Sequence, residues 1–273
     1  HALITSKRGD LLALGLARAE ATRRGPLPVY LAHDMGGGAE TDLQRRLRAD
    51  VARVGSALVI RVGGVFRFTV ELWTLRSEGA QEPGITAAGT ADWALVARLL
   101  APVSERDIVY SCAVGDPDPV TLPDLLMSLR RKGDGLTVLV HDYFPLSPNM
   151  TLLEEGERWL GLPDPGSASA RHVTRRPDGA AVPLSVWRAQ WGRMLYDADQ
   201  VLCFSTAAQA LVQQAYPGVP TQVRPHALPV NVPRLPLPAF DAPCVLGLLG
   251  SLGPHKGAGL AEALSREIGR EVG

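Results

Sequence analysis

Residues 27–62, LPVYLAHDMGGGAETDLQRRLRADVARVGSALVIRV, contain the pattern that decides the fold. The run 27–32 is apolar and predicts a buried β-strand. The glycine turn after it opens a predicted helix that continues to about residue 54, and 57–62 predicts a second strand. A strand, a helix and another strand in this order are typical of a βαβ unit, in which the two strands are parallel.

The same alternation continues along the chain. Further strands are predicted at 65–72, 107–112, 136–140, 200–204 and 221–223. Helices are predicted at 10–24, 91–100, 122–131, 186–196 and 206–215. Strands alternating with amphipathic helices predict an α/β fold, with a Rossmann-like, mainly parallel sheet that carries helices on both faces.

Prolines divide the chain near its end. Between 225 and 243 they are too dense for a continuous helix or a central strand, which predicts an extended linker. We therefore expect an N-terminal domain at 1–228, a proline-rich linker at 229–242, and the first βα unit of a second Rossmann-like domain at 243–273. This last segment is shorter than the ~50 residues of a small domain, which predicts that the second domain is truncated.

Composition excludes several classes of protein. Lys and Arg number 28, as do Asp and Glu, and this balance argues against a nucleic-acid binder. Hydrophobic residues make up 46% of the chain, enough for a large core, and no apolar run reaches the ~20 residues of a membrane span. Cys112, Cys203 and Cys244 lack the spacing of metal ligands and predict reduced thiols in a cytoplasmic protein.

Two other segments invite a structural interpretation. Residues 145–183 predict a long irregular loop with a short helix near 152–160, and Glu154, Glu155 and Glu157 predict a solvated face. Trp187, Trp191 and Leu195 recur at helical spacing, which favours packing in the core. Docking of this stripe to an acceptor or a membrane surface is the alternative.

Candidate functional residues follow the predicted strands, because open parallel sheets bind ligands beyond the carboxyl ends of their strands. His33 and Asp34 follow the first strand, and Gly36, Gly37 and Gly38 open the next helix. Glycines allow close approach of the backbone, and free N–H groups at a helix N-terminus suit a phosphate or a sugar hydroxyl. A tight turn without a ligand is the alternative.

A second His-Asp pair, His141 and Asp142, follows the strand predicted at 136–140. An imidazole can act as a general acid, a general base or a hydrogen-bond donor near neutral pH. Two such pairs at the same edge of a sheet favour a site. The alternative is that each aspartate caps a turn.

Three further places are candidates. Lys256 lies in a glycine-flanked loop before a predicted helix, where it could neutralise a diphosphate or could instead lie free in solvent. Ser205 or Thr206 is predicted to cap the helix that follows. His226 comes where the first domain ends, so it could face a cleft between domains.

Four segments together resemble bacterial glycosyltransferases of the GT-B fold, similar to glycosyltransferase family 4. These are HDMGGGAETDL, LVHDYFPLSPNMTLL, ADQVLCFSTAAQALVQQAYPGVPTQVRPHA and VLGLLGSLGPHKG, which span residues 27–257. The resemblance implies two Rossmann-like domains that face each other across a cleft. The N-terminal domain then binds the acceptor, and the C-terminal domain binds a nucleotide-sugar donor.

The resemblance also implies roles for individual residues. His141 lines the reaction centre, and Lys256 stabilises the leaving diphosphate. Contact with the donor phosphates or sugar is implied for Gly36, Gly37, Gly38, Ser251, His255 and Lys256. The implied acceptor or cleft residues are His33, Asp34, Asp142, Tyr143, Asn149, Ser205 and His226. No metal and no bound cofactor are expected, since the nucleotide sugar is a co-substrate and transfer retains the anomeric configuration.

The sequence departs from this family at several points. Ser251 stands where many members have an arginine, Pro225 and His226 stand in place of Asn-Gly, and Ser147 replaces a common cysteine. The paired-glutamate donor motif is expected beyond residue 273, which predicts that these residues alone are inactive.

The expected function is a bacterial glycosyltransferase of polysaccharide or glycoconjugate assembly. Its partners are a nucleotide sugar and a saccharide or glycoconjugate acceptor, without nucleic acid. The expected location is the cytoplasm, with peripheral association at the inner face of the membrane left open. The alternatives are a non-catalytic Rossmann-like scaffold and a sugar-nucleotide epimerase of the same shape.

Overall fold

The computed structural model describes residues 7–75, 83–167, 169–226, 253 and 256–271. Eight strands form one sheet in the order β10-β9-β6-β5-β1-β2-β3-β4. The strands are β1 (Leu27–His33), β2 (Ser56–Val62), β3 (Phe68–Thr74), β4 (Gly84–Thr90), β5 (Arg106–Tyr110), β6 (Gly135–Val140), β9 (Gln200–Cys203) and β10 (Thr221–Val223). A separate ribbon pairs β7 (Thr174–Arg175) with β8 (Ala181–Val182). The predicted α/β, Rossmann-like fold is confirmed.

Helices surround the sheet. They are α1 (Lys7–Thr22), α2 (Gly38–Val54), α3 (Trp93–Leu100), α4 (Leu122–Ser128), α5 (Leu184–Asp197), α6 (Thr206–Ala215) and α7 (Ala258–Glu271). The first six match predicted helices to within a few residues at each end. The predicted packing of Trp187 and Trp191 is confirmed, because both side chains on α5 are fully buried and the Trp187 indole N–H donates to the Phe144 carbonyl.

The first βα unit shows why both faces of the sheet are buried. Every residue of β1 is buried, and its side chains alternate between two hydrophobic clusters. Leu31 belongs to the larger cluster, which also receives side chains from α1, α3, α4 and α5. Tyr30 belongs to the smaller one, which Leu43 and Leu47 of α2 cover. A strand covered on both sides has no polar face, which explains its continuous apolar sequence.

The sheet is parallel from β10 through β2, and it turns antiparallel at the edge formed by β3 and β4. The strand predicted at 65–72 lies at Phe68–Thr74 instead. A turn intervenes, since Gly63 has a positive φ of 83° and Val65 is almost fully exposed. The sequence analysis missed β4, whose residues are mostly small.

The helix expected near 152–160 is wrong. Leu153 pairs with Trp159 in an isolated antiparallel bridge, and a short 3₁₀ turn, Glu155–Glu157, lies between them. Gly156 has a positive φ of 67°, a backbone conformation that an α-helix does not contain. Glu154 is also not simply solvated, because it accepts hydrogen bonds from other side chains of this loop.

The predicted linker at 229–242 and the predicted strand at 244–249 lie outside the described residues, as does Cys244. Cys112 and Cys203 are free and buried, as expected. Helix α7 contains the helix predicted in the second domain. None of the described helices has an apolar stretch of sufficient length to cross a bilayer.

Candidate functional site

The parallel strands bring the sequence candidates to one edge of the sheet. His33 is the last residue of β1, His141 follows β6, and Phe204 follows β9. The chain continues β10 with Arg224, whose N–H donates to the Cys203 carbonyl, and His226 comes two residues later. Because these strands run in the same direction, their carboxyl ends meet at one rim, as the βαβ pattern predicts.

His141 is the centre of this rim. Its side chain is 3% exposed, and neither ring nitrogen has a hydrogen-bond partner among the described residues. Its ring is stacked on Phe204, with centroids 4.5 Å apart, and His226 is stacked on Phe204 at 3.8 Å. A buried imidazole without partners is unfavourable, because both of its nitrogens have lost hydrogen bonds to water.

Burial lowers the pKa of His141 to about 4. Asp42 acts in the opposite direction, and His226 adds to the decrease. The imidazole is therefore neutral at physiological pH, with one donor and one acceptor nitrogen. Burial likewise lowers the pKa of His33, whose Nδ1 accepts a hydrogen bond of 2.8 Å from the Met35 N–H.

Asp42 is a member of the site that the sequence analysis missed. It lies on the second turn of α2 and is 5% exposed, and its Oδ2 is 3.7 Å from His141 Nε2. Arg46 and Arg45 donate to its two oxygens. Burial alone would raise the pKa of Asp42, but these hydrogen bonds lower it overall, so the carboxylate is charged.

Asp42 also connects the glycine turn to His141. Gly37 precedes α2 with a φ of 99° and gives the helix no side-chain cap. A Cβ atom at Gly36, Gly37 or Gly38 would meet no atom within 4 Å, so the approach to this backbone is open. The N-terminus of α2 and His141 thus lie at the same rim, about one helical turn apart along α2.

A second ion pair lies beside the N-terminus of α2. Glu40, in the first turn, accepts from Arg61 of β2 at 2.8 Å, and Arg61 also donates to Glu71 and to the His33 carbonyl. Burial alone would raise the pKa of Glu40, but the hydrogen bonds from Arg61 and Gln44 lower it. The acidic side chain nearest the helix start is therefore already neutralised by a cation.

A cleft of about 450 Å³ opens in front of His141. It offers apolar surface from Tyr143, Met150 and Phe204 and polar groups from both histidines of the ring stack. This combination suits a ligand that has both an apolar face and hydroxyl groups. Its lining is Val140, His141, Asp142, Tyr143, Met150, Thr151, Phe204, Ser205, Ala208 and His226.

Some predicted cleft residues have structural roles as well. Asp142 accepts hydrogen bonds from the Cys112 thiol and the Phe144 N–H, and burial raises its pKa. Ser205 accepts from the Ala208 N–H and so caps α6, as predicted. The capping alternative stated for Asp142 and Ser205 therefore describes real contacts, while both residues still line the cleft.

Other candidates lie apart from the cleft lining. The Asn149 amide donates to the Leu153 carbonyl inside the long loop, so it holds that loop together. Asp34 is exposed and lies against the β2–β3 turn, because a Cβ at Gly64 would come within 2.6 Å of its carboxylate. His33 and Asp34 are thus at the rim but beside the cleft.

The candidates of the predicted second domain are only partly described. Ser251 and His255 lie outside the described residues. Lys256 is exposed, and its N–H donates to the Gly253 carbonyl in the turn that opens α7. Among the described residues, no hydrogen bond or ion pair joins the Lys256 side chain to the rim.

A larger groove of about 590 Å³ lies between α1 and the antiparallel edge of the sheet. Its lining is mostly apolar, with Leu11, Leu14 and Leu75 exposed, and its charged side chains are Arg18 and Arg24. None of the described residues that line it is a histidine, an acidic residue or a cysteine. The smaller cleft at the carboxyl rim therefore has the better chemical case for a functional site.

Comparison with known proteins adds no assignment: no protein-family model matches the chain, and neither a curated protein nor a solved structure matches it.

Proposed function

We propose that the chain carries the acceptor-side domain of a glycosyltransferase that uses a nucleotide sugar. The observation that supports this most is the neutral, unpartnered His141 at the floor of a cleft, one helical turn from an uncapped glycine-rich helix start. The resemblance to glycosyltransferase family 4 supplies the reaction, and the rim supplies groups that suit it.

The reaction breaks the bond between the anomeric carbon of the sugar and an oxygen of the diphosphate. A hydroxyl of the acceptor forms the new bond to that carbon and loses its proton, which the leaving diphosphate can accept. Negative charge therefore grows on the diphosphate, and positive character grows on the sugar. Fixed dipoles and cations on the phosphate side lower the barrier, because they need no reorganisation during the reaction.

Several residues at the rim can contribute to stabilising these charges. Because Gly37 provides no side-chain cap for α2, the backbone N–H groups of Gly38 and Ala39 can stabilise the negative charge that develops on the diphosphate. Neutral His141 can donate a hydrogen bond to a sugar oxygen or accept one from a hydroxyl, and it places no second positive charge next to the reacting carbon. The apolar side chains of the cleft, Tyr143, Met150 and Phe204, would reduce the access of water, which otherwise competes with the acceptor.

The first test is binding of nucleotide sugars by protein that carries the complete donor-binding domain implied by the resemblance. A panel of UDP-, GDP-, ADP- and dTDP-sugars is screened for an increase in the midpoint of thermal unfolding. The proposal predicts stabilisation by at least one of them. Stabilisation followed by interconversion of the sugar without transfer would favour the epimerase, and no stabilisation by any nucleotide sugar would favour the scaffold.

The second test addresses the expected diphosphate contact. Lys256→Ala should weaken binding of the nucleoside diphosphate about tenfold by calorimetry, because it removes a charge-assisted hydrogen bond. Arg266→Ala is the matched control, since this exposed cation on α7 is paired with Glu262. Equal affinities for both variants and the wild type would count against the role of Lys256.

A further inference from the structure

We propose that Asp42, His141 and His226 form a binding site for a divalent transition metal ion where the two histidines line the cleft. One ligand atom of each residue lies within 4.8 Å of the others. The Asp42 oxygens are 3.7 Å from His141 Nε2 and 3.9 Å from His226 Nδ1. Tetrahedral ligands of one zinc ion lie about 3.3 Å apart, so the three side chains must move slightly closer together. The exposed His226 ring must also rotate, because it lies nearly parallel to the His141 ring, at an interplanar angle of 13°.

The unpartnered nitrogens of His141 are a second and independent observation. Both are buried, in a side chain that is only 3% exposed, and neither has a hydrogen-bond partner in the part of the chain that the structure describes. Nε2 faces a carboxylate at a distance that is too long for a hydrogen bond and suits a bridging ion. A metal ion at this point would use the lone pair that nothing else in the described structure uses.

The ligand set indicates the class of ion. Two imidazoles and one carboxylate suit Zn²⁺ and related ions, whereas Mg²⁺ and Ca²⁺ prefer oxygen ligands. Three protein ligands leave a fourth position open toward the cleft. His226 is 44% exposed, so an ion can enter from solvent without any rearrangement of the core.

Two arginines act on the same carboxylate and set the strength of the site. Both arginines donate to Asp42, and Arg46, the less exposed of the two, is the outer-shell partner that orients the carboxylate. Their positive charges also oppose a cation. Arg45 is more than half exposed, so its removal should disturb the fold little and should strengthen metal binding. A purely structural Asp42–Arg45 pair predicts no such gain.

The metal site does not rest on the proposed function, and it departs from the metal-independent chemistry expected from the resemblance. An ion held here would occupy His141 and close the floor of the cleft. Zn²⁺ should therefore compete with any substrate that uses this imidazole. Binding of the metal itself can be measured without knowing that substrate.

The test uses the full chain after treatment with a chelator. Co²⁺ is titrated with visible absorption as the readout, and Zn²⁺ with calorimetry. We expect one saturable site with the strong visible absorption of tetrahedral Co²⁺, displaced by Zn²⁺ and not by Mg²⁺. His226→Ala and Asp42→Asn should each weaken binding at least about tenfold, and Arg45→Gln should strengthen it by about threefold or more.

His33→Asn is the matched control, because this histidine lies at the same rim with its Nδ1 already occupied. It should leave the affinity within about twofold of the wild type. The proposal is overturned by the lack of a saturable site, by an unchanged affinity in His226→Ala, or by equal binding of Mg²⁺. If Asp42→Asn does not fold, the variants His226→Ala and Arg45→Gln, which change exposed residues, still test whether this site binds a metal ion.

Discussion

Two buried histidines of this chain have opposite surroundings. His172, in the long loop after β6, is fully buried with both ring nitrogens bonded: Nδ1 to the Ser147 hydroxyl at 2.7 Å, and Nε2 to the Glu154 carboxylate at 3.1 Å. His141 is nearly as buried, and neither of its nitrogens has a hydrogen-bond partner among the residues that the structure describes. The first histidine therefore stabilises a loop, and the second is held neutral and available.

The serine, histidine and glutamate of the loop resemble a hydrolytic triad in composition only. Ser147 is fully buried, and its hydroxyl also accepts from the Asn149 N–H. A nucleophile must reach its substrate, and this hydroxyl cannot. In this chain the number of hydrogen bonds to the ring nitrogens, and not burial or residue type alone, separates a structural histidine from a candidate functional one.

The largest expected effect is on turnover. In protein with the complete donor-binding domain, His141→Ala should lower the rate of sugar transfer by about 100-fold or more, because in the proposed mechanism its imidazole contacts the reacting sugar. The free energy of unfolding should fall less than in His172→Ala, because the variant loses packing against Phe204 but no hydrogen bond within the described structure. Steady-state kinetics and urea unfolding measure the two. A wild-type rate in this variant would remove His141 from the mechanism.

The reverse pattern is expected for His172→Ala. The change leaves Ser147 and Glu154 without their partner and creates a cavity, so the free energy of unfolding should fall by about 3 kcal/mol. The folded fraction should keep its turnover. A variant as stable as the wild type would show that this network does not hold the loop.

The dependence of stability on pH should also reveal that His141 is held neutral. The pKa of His141 is about 4 in the folded protein, whereas its ordinary value is 6.5. Between these two pH values the unfolded chain therefore binds a proton at His141 that the folded chain does not bind. This contribution to stability is present above pH 6.5 and is lost as the pH falls toward 4, by up to about 3 kcal/mol.

Urea unfolding of the wild type and of His141→Ala between pH 7 and pH 4, with a chelator present, tests this sign. The variant should lose less stability than the wild type, because its other titrating groups, including His33, are the same. Equal losses would mean that His141 has an ordinary pKa and is not held neutral.

The smallest effect concerns the hydroxyl partner of His172. Ser147→Ala removes the hydrogen bonds of this hydroxyl to the buried His172 imidazole and from the Asn149 N–H, and should lower the free energy of unfolding by about 2 kcal/mol. Thr221→Ala is a control in a partly exposed setting, where its hydroxyl accepts from Gln209 and Gln213. Thr221→Ala should lower the free energy of unfolding by less than Ser147→Ala does in the same experiment. A larger decrease would contradict the conclusion that the buried His172 network contributes more to stability than this more exposed one.

Much of the fold could be predicted because its strands are short apolar runs followed by helical periodicity. β1 and α2 were predicted to within one residue at each end, since a strand buried on both faces and an amphipathic helix have distinct patterns. β4 could not, because its small residues become a strand only by pairing with β3. The loop around Gly156 was predicted to be a helix, but two of its apolar residues, Leu153 and Trp159, pair across a turn instead.

The candidate site was predictable in part. The two His-Asp pairs and the glycine turn were located by their positions after strands, and parallel pairing brings them to one rim. Asp42 was missed, because its contact with His141 depends on how α2 packs on the sheet. A signal was present: an acidic residue beside Leu43 on the buried face of α2, with arginines three and four positions later.

Histidine side-chain NMR of the full chain, with and without the nucleotide sugar that gives the largest thermal stabilisation, tests the central claim most directly. We predict that the His141 ring signals at pH 6 are those of a neutral imidazole. They should shift when the nucleotide sugar binds, while the His172 signals should not change. A protonated His141 at pH 6, or a shift of His172 with His141 unmoved, would contradict it.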